Sequence, residues 1–300
     1  MFRAIACCLI LALCLSTASI GLADEIPQTA PAARSFKLGA LELSSLHDSA
    51  LIVPNDGSVF GQNSNPAAVA KVLSAAGAAP NQIALDVNVL LIRMPGHLVL
   101  LDGGWGTGGH GVLRGSLAAV GVAPESITDV LITHAHSDHV GGLVDERGRV
   151  LFPQASIRMS ANEWTFMQSQ DDTRALASAI RRQVHTFEPG RPLWPGITPV
   201  ALYGHTPGHV GYEIFSQGQK LLDVGDLAHS SIISLAQPDW TIAYDGDKQQ
   251  ARRQRRAQLQ QLSESHELIF APHFPFPGVG RIERSGDGFR FQPQLPSSAP

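Results

Sequence analysis

"THAHSDHVGG", residues 133–142, places His134, His136, Asp138 and His139 within six positions. The preceding "TDVLIT" (128–133) reads as a buried strand, so the loop begins where that strand leaves a sheet. In extended backbone, residues two apart point to the same side, and His134 and His136 converge on one point. Asp138 and His139 follow at a helix start, where Gly141 and Gly142 let the backbone turn tightly. Two imidazoles on one side and a carboxylate–imidazole pair on the other suit two neighbouring metal ions better than one. The competing reading is a polar surface loop with incidental histidines.

A true centre needs further ligands, and the chain supplies candidates. "GHTPGH" (204–209) ends in His209, "DVGD" (223–226) ends in Asp226, and "FAPH" (270–273) ends in His273. Each lies where a strand is expected to leave its sheet, the place where α/β proteins build their sites. Any one alone carries little weight; together with the 134–139 loop they make a set.

The leader "MFRAIACCLILALCLSTASIGLADE" has a positive start at Arg3, an apolar run from Ala4 to Leu15, and small residues in Gly21-Leu22-Ala23 at the usual cleavage positions. That pattern is a secretory signal peptide over 1–23, which implies a periplasmic or secreted protein with no stable membrane insertion after cleavage. Cys7, Cys8 and Cys14 all lie in this leader. The mature chain then has no thiol, and any metal must be held by nitrogen and oxygen. A net charge of −4 gives no general attraction to nucleic acid.

Residues 24–35 read as a Pro/Ala linker, 36–292 as one domain and 293–300 as a flexible tail. Strand patterns fall in "FKLGALELSSLHDSALIVP", "DVNVLLIRM", "HLVLLDGG", "ITPVALYGH", "YEIFSQ", "KLLDVGD", "ELIFAPH" and "RIERSGDGFRFQP". Helices are expected near 111–120, over 161–185 and over 247–265. The order is that of an α/β protein with much antiparallel pairing, two sheets flanked by helices.

With its H-x-H-x-D-H loop followed by histidine, aspartate and histidine, the chain resembles the metallo-β-lactamase superfamily. The resemblance implies an αββα four-layer sandwich of two mixed sheets, with the site between them. It also implies a ligand partition: His134, His136 and His209 on one metal, Asp138, His139 and His273 on the other, Asp226 bridging. The stretches "THAHSDHVGGL", "GHTPGHVGYEIFSQGQKLLDVGDL" and "APHFPFPGVGRI" resemble the methyl parathion hydrolase branch, close to quorum-quenching lactonases. "GGWGTGGHG" (103–111) and His229 in "DLAHSS" depart from that branch.

The chemistry expected of such a centre is hydrolysis, with Asp226 and Asp138 holding a metal-bridging hydroxide that attacks a lactone, an ester or an organophosphate triester. Two divalent ions are the implied cofactors, zinc foremost, with manganese, cobalt or iron compatible with the same ligands. Asp102 is expected to orient a ligand imidazole, and His205 to fix the "GHTPGH" turn. Trp105, Trp164, Phe166, His229, Phe274 and Phe276 are the candidates for the substrate pocket, Phe274 foremost because it adjoins a ligand. The basic run "DKQQARRQRRAQLQQL" (247–262) reads as an amphipathic helix with a solvated cationic face. The expected partner is a small-molecule substrate, not nucleic acid, and homodimerisation is left open. Two rivals stand beside this reading: β-lactam hydrolysis, against which Asp226 argues, and a non-catalytic periplasmic metal-binding protein.

Overall fold

The structure, a computed structural model, describes residues 29–106, 108 and 110–296. The expected leader therefore lies outside the described residues, as do positions 297–300. The first sheet holds seven strands in the order β1 (Ala32–Leu38), β2 (Leu41–Pro54), β3 (Gln82–Met94), β4 (His97–Leu101), β5 (Asp129–Leu131), β6 (Ser156–Ser160) and β7 (Val184–Phe187). The second holds six: β8 (Ile197–Ala201), β9 (Val210–Ser216), β10 (Gln219–Asp223), β11 (Leu268–Phe270), β12 (Val279–Ser285) and β13 (Gly288–Pro293), adjacent in that order. Both sheets are mixed: β4 to β7 run parallel in the first, and β10 pairs parallel with β11 in the second.

The period-2 alternation of the strands decides the layering. In β3, Leu90 and Ile92 point into the core between the sheets, while Val89 and Leu91 point outward. In β11, Leu268 and Phe270 face the same inner core and Ile269 the outer one. The outer face of the first sheet is covered by α2 (Leu113–Ala119), α4 (Ala161–Ser169) and α5 (Arg174–Ile180), which contribute Leu117, Met167 and Ile180. The outer face of the second is covered by α6 (Ile233–Ala236) and α7 (Lys248–Ser265) through Leu235, Leu259 and Leu262. The result is the αββα four-layer sandwich expected from the sequence.

Four local expectations are corrected. Residues 32–35 are not linker: they belong to β1 and pair with β2 from Ala32↔His47 onward. Residues 161–185 are not one helix, because the segment breaks after Ser169 and ends in β7, a strand too short to show its period. An unanticipated helix, α1 (Pro66–Ala75), starts at Asn65, whose side chain accepts from the Ala68 N–H, with Pro66 in the first turn. The tail is held at its start, since the Gln294 N–H donates to the Val279 carbonyl.

Candidate metal centre

Four loops, each leaving a strand, carry the site. β5 delivers His134 and His136, and the short helix α3 (Ser137–Val140) delivers Asp138 and His139. β8 leads into the 204–209 turn, β10 into Asp226 and β11 into His273. Asp226 follows Gly225, whose φ of +47° is a glycine conformation, and a Cβ there would stand 2.5 Å from His209 Nε2. Gly225→Ala is accordingly expected to destabilise the fold by about 1–3 kcal/mol, through strain and overpacking against a fixed ring. Thermal unfolding measures it, and an unchanged midpoint would contradict this account.

Two clusters of donor atoms result, and a third grouping of Asp226, His229 and His273 overlaps them. In one, His134 Nε2, His136 Nδ1 and His205 Nε2 lie 2.9–3.2 Å apart. A tetrahedral ion with bonds of about 2.0–2.1 Å sets its nitrogens about 3.3 Å apart, so the trio matches a shared cation. In the other, His273 Nε2 stands 3.4 Å from His139 Nε2 and 3.3 Å from Asp138 Oδ2. Asp226 reaches both. Its Oδ2 lies 3.3 Å from His205 Nε2 and 3.5 Å from His134 Nε2, and its Oδ1 lies 3.2 Å from both His139 Nε2 and His273 Nε2. Asp226 Oδ1 is buried without a hydrogen-bond partner, which is costly for a carboxylate unless a cation answers it.

Each ring is aimed by the hydrogen bond of its other nitrogen. Asp102 Oδ2 accepts from His139 Nδ1 at 2.8 Å while Oδ1 accepts from the Thr133 N–H. His273 Nδ1 donates to the Asp86 carbonyl and His205 Nδ1 to Asp245 Oδ1. Burial pushes His136 down to about 3, which leaves a neutral ring with a lone pair to offer. Burial opposes protonation of His205 as well, but hydrogen bonds to Asp226 and Asp245 push it up to about 9. Asp226, although buried, is held well below the usual carboxylate range by His273 and His139.

The assignment of His209 and His205 is reversed by this geometry. His209 Nδ1 donates to the Leu202 carbonyl at 2.8 Å and its Nε2 accepts from the Asp226 N–H at 3.0 Å. Both its nitrogens are committed to backbone, and His205 takes its place in the cluster. Glu163, which the sequence did not single out, ties the ligand loops together from full burial. Its Oε1 accepts from the Ala135 N–H, and its Oε2 accepts from Thr206 Oγ1 and the Gly208 N–H.

A family model described as the metallo-beta-lactamase superfamily matches residues 83–273. The chain belongs to the metallo-β-lactamase superfamily. Among curated members, it is 45% identical over 62 residues to metallo-beta-lactamase domain-containing protein 1 of Mus musculus, covering 21% of each chain. To the protein of the same name from Xenopus laevis it is 36% identical over 129 residues, covering 43% of this chain and 46% of that one. It thus spans less than half the length of these relatives. Among solved structures, "AidC, a Dizinc Quorum-Quenching Lactonase, in complex with a product N-hexnoyl-L-homoserine" superposes with a TM-score of 0.84 at 30% identity, over 88% of this chain and 98% of that one. "Crystal structure of hydrolase AbOPH in beta lactamase superfamily" superposes at 0.80 with 23% identity, over 91% and 99%, a likeness of fold alone.

In this superfamily member the two clusters open onto a cavity of about 230 Å³. Trp105 and His229 line it, joined by Leu51, Leu85, Asp172 and Tyr244, which no motif marked. Phe274 does not: it is fully buried in the outer core, edge-on to Phe291. Beyond β11 the chain turns, the Phe274 N–H donating to the Ala271 carbonyl, and this carries the Phe274 ring away from the side on which His273 meets the cluster. Trp164 and Phe166 pack partly against the helical layer, and Phe276 packs against His47, so none of the three is among the residues lining the cavity. His229 is buried with both ring nitrogens lacking hydrogen-bond partners, its Nε2 3.0 Å from Asp226 Oδ2 but not oriented to bond.

Proposed function

We propose that this protein is an exported, dinuclear metal-dependent hydrolase that opens lactones, with zinc as its usual metal. The observation that carries this reading is Asp226, whose two buried oxygens face the two donor clusters. The 30% identity to a dizinc quorum-quenching lactonase over most of both chains supports the substrate class. Bound in these clusters, two divalent ions supply an acidified water and an electrophilic clamp for the substrate oxygen.

The remaining work falls to the chain itself. Leu51, Leu85 and Trp105 give the cavity apolar walls suited to an acyl chain. Tyr244 stands at its mouth, and partial burial together with Asp138 raises its pKa, so its hydroxyl stays a donor at neutral pH. Burial lowers the pKa of His229, whose ring lines the same space with Nε2 3.0 Å from Asp226 Oδ2.

The test uses chain loaded with zinc, manganese or cobalt and assayed on an N-acyl-homoserine lactone, an aryl phosphotriester and nitrocefin. The expected result is lactone opening that exceeds the other two activities by at least about tenfold in kcat/KM, roughly 1.4 kcal/mol of selectivity. Phosphotriester or β-lactam turnover exceeding lactone opening would reassign the substrate. A loaded protein inert on all three would remove the hydrolase reading.

A further inference from the structure

The cationic run of α7 does not all face solvent. Arg253 and Arg256 do, but Arg255 is 1% exposed and ranks among the largest fully buried side chains of the molecule. Buried arginine is rare unless every donor is answered. Here the Arg255 Nη2 donates to Asp245 Oδ2 at 2.6 Å, Nε donates to the Leu227 carbonyl at 2.9 Å, and Nη1 to the Trp240 carbonyl at 3.0 Å. The other oxygen of Asp245 accepts from His205 Nδ1 at 3.1 Å, and His205 Nε2 lies 2.9 Å from His136 Nδ1. Leu227 is the residue after Asp226. One guanidinium therefore grips both the carboxylate behind His205 and the backbone beside Asp226.

We infer that Arg255 is a positioning residue for the metal centre, acting through Asp245 on His205 and through the Leu227 carbonyl on Asp226. The inference rests on the dinuclear reading above. Asp245 fixes which nitrogen of His205 carries the proton and which faces the cluster. Asp245 has no measurable side-chain exposure, so without Arg255 it would be a buried carboxylate with only an imidazole to answer it. Lysine keeps the charge but not the fork, because a single ammonium cannot serve a carboxylate and two carbonyls in divergent directions. The cationic helix thus does a structural task at one position while its neighbours stay in water.

Full-length protein, stripped of metal and titrated with cobalt(II) against a competing chelator dye, provides the test. The wild type is expected to take up two ions per chain. Asp245→Asn and Arg255→Met should each weaken one of them by about 10–100-fold and shift the cobalt d–d bands, as loss of a ligand's outer partner does. The double variant should be no weaker than Arg255→Met alone, because Arg255 reaches His205 through Asp245 and its grip on the Leu227 carbonyl is already lost in that single variant. Arg255→Lys should recover part of the loss, and Arg253→Met, on the exposed face, should show no loss. Should Arg255→Met fail to fold, Asp245→Asn and Arg255→Lys decide by the same two readouts. Wild type holding two ions while Asp245→Asn matches it in affinity and spectrum overturns the inference alone. Wild type that takes up no cobalt overturns the dinuclear reading, and this inference with it.

Discussion

On the proposed lactonase reading, Asp226→Ala is expected to lower kcat/KM for an N-acyl-homoserine lactone by roughly 10³-fold, and to leave fewer than two tightly held ions per chain. The size of the effect follows from the geometry. Asp226 and Asp138 are the two carboxylates in the donor clusters, so removing one halves the negative charge that the clusters offer to cations. Asp226 is also the side chain whose oxygens address both clusters, at 3.2 Å from His139 and His273 and 3.3 Å from His205. The fold should survive, since the contact to His209 Nε2 is made by the backbone N–H of residue 226, which alanine keeps. Asp226→Asn should fall between: it retains one acceptor but aims N–H groups at imidazole nitrogens. Metal analysis after dialysis, circular dichroism and steady-state kinetics on the same preparations separate the possibilities. A folded Asp226→Ala chain that keeps two ions and lies within tenfold of wild type would defeat the bridging assignment.

The parts of this site legible in the sequence are those whose geometry is local. His134 and His136, two apart in the segment that leaves β5, meet in one cluster, and Asp138 and His139 follow because α3 starts there. The alternation in "DVNVLLIRM" and "ELIFAPH" likewise exposes two cores and hence two sheets. What failed was non-local. "GHTPGH" offers two histidines, and nothing in its spacing tells which ring turns inward. His205 does so because Asp245, 40 positions away, holds its back nitrogen, while His209 is claimed by Leu202 and Asp226 backbone. Arg255 was lost among its charged neighbours, although its place four residues after Ala251 and four before Leu259 puts it on their buried face. Phe274 adjoins a ligand in sequence, but a turn after β11 sends its ring into the outer core, and adjacency in sequence does not show which way a turn faces.

Glu163 offers the largest expected change in stability. In sequence it completes a helix-start pattern with Ser160, three positions earlier, and Ser160 Oγ does accept from the Glu163 N–H. Its carboxylate does something else: it accepts 2.7–2.9 Å hydrogen bonds from the Ala135 N–H, Thr206 Oγ1 and the Gly208 N–H. Ala135 lies between His134 and His136, and Thr206 follows His205, so one buried acceptor joins both halves of a ligand cluster. Glu163→Leu fills a similar volume but leaves three buried donors unanswered, at about 1–3 kcal/mol each. A loss of roughly 3–9 kcal/mol is expected, a large share of the 5–15 kcal/mol typical of a domain. Glu163→Gln keeps an acceptor for one side and should lose about 1–2 kcal/mol. Urea unfolding of metal-stripped protein isolates this term from metal binding, and a midpoint for Glu163→Leu within about 1 kcal/mol of wild type would show that the two loops hold their positions without it.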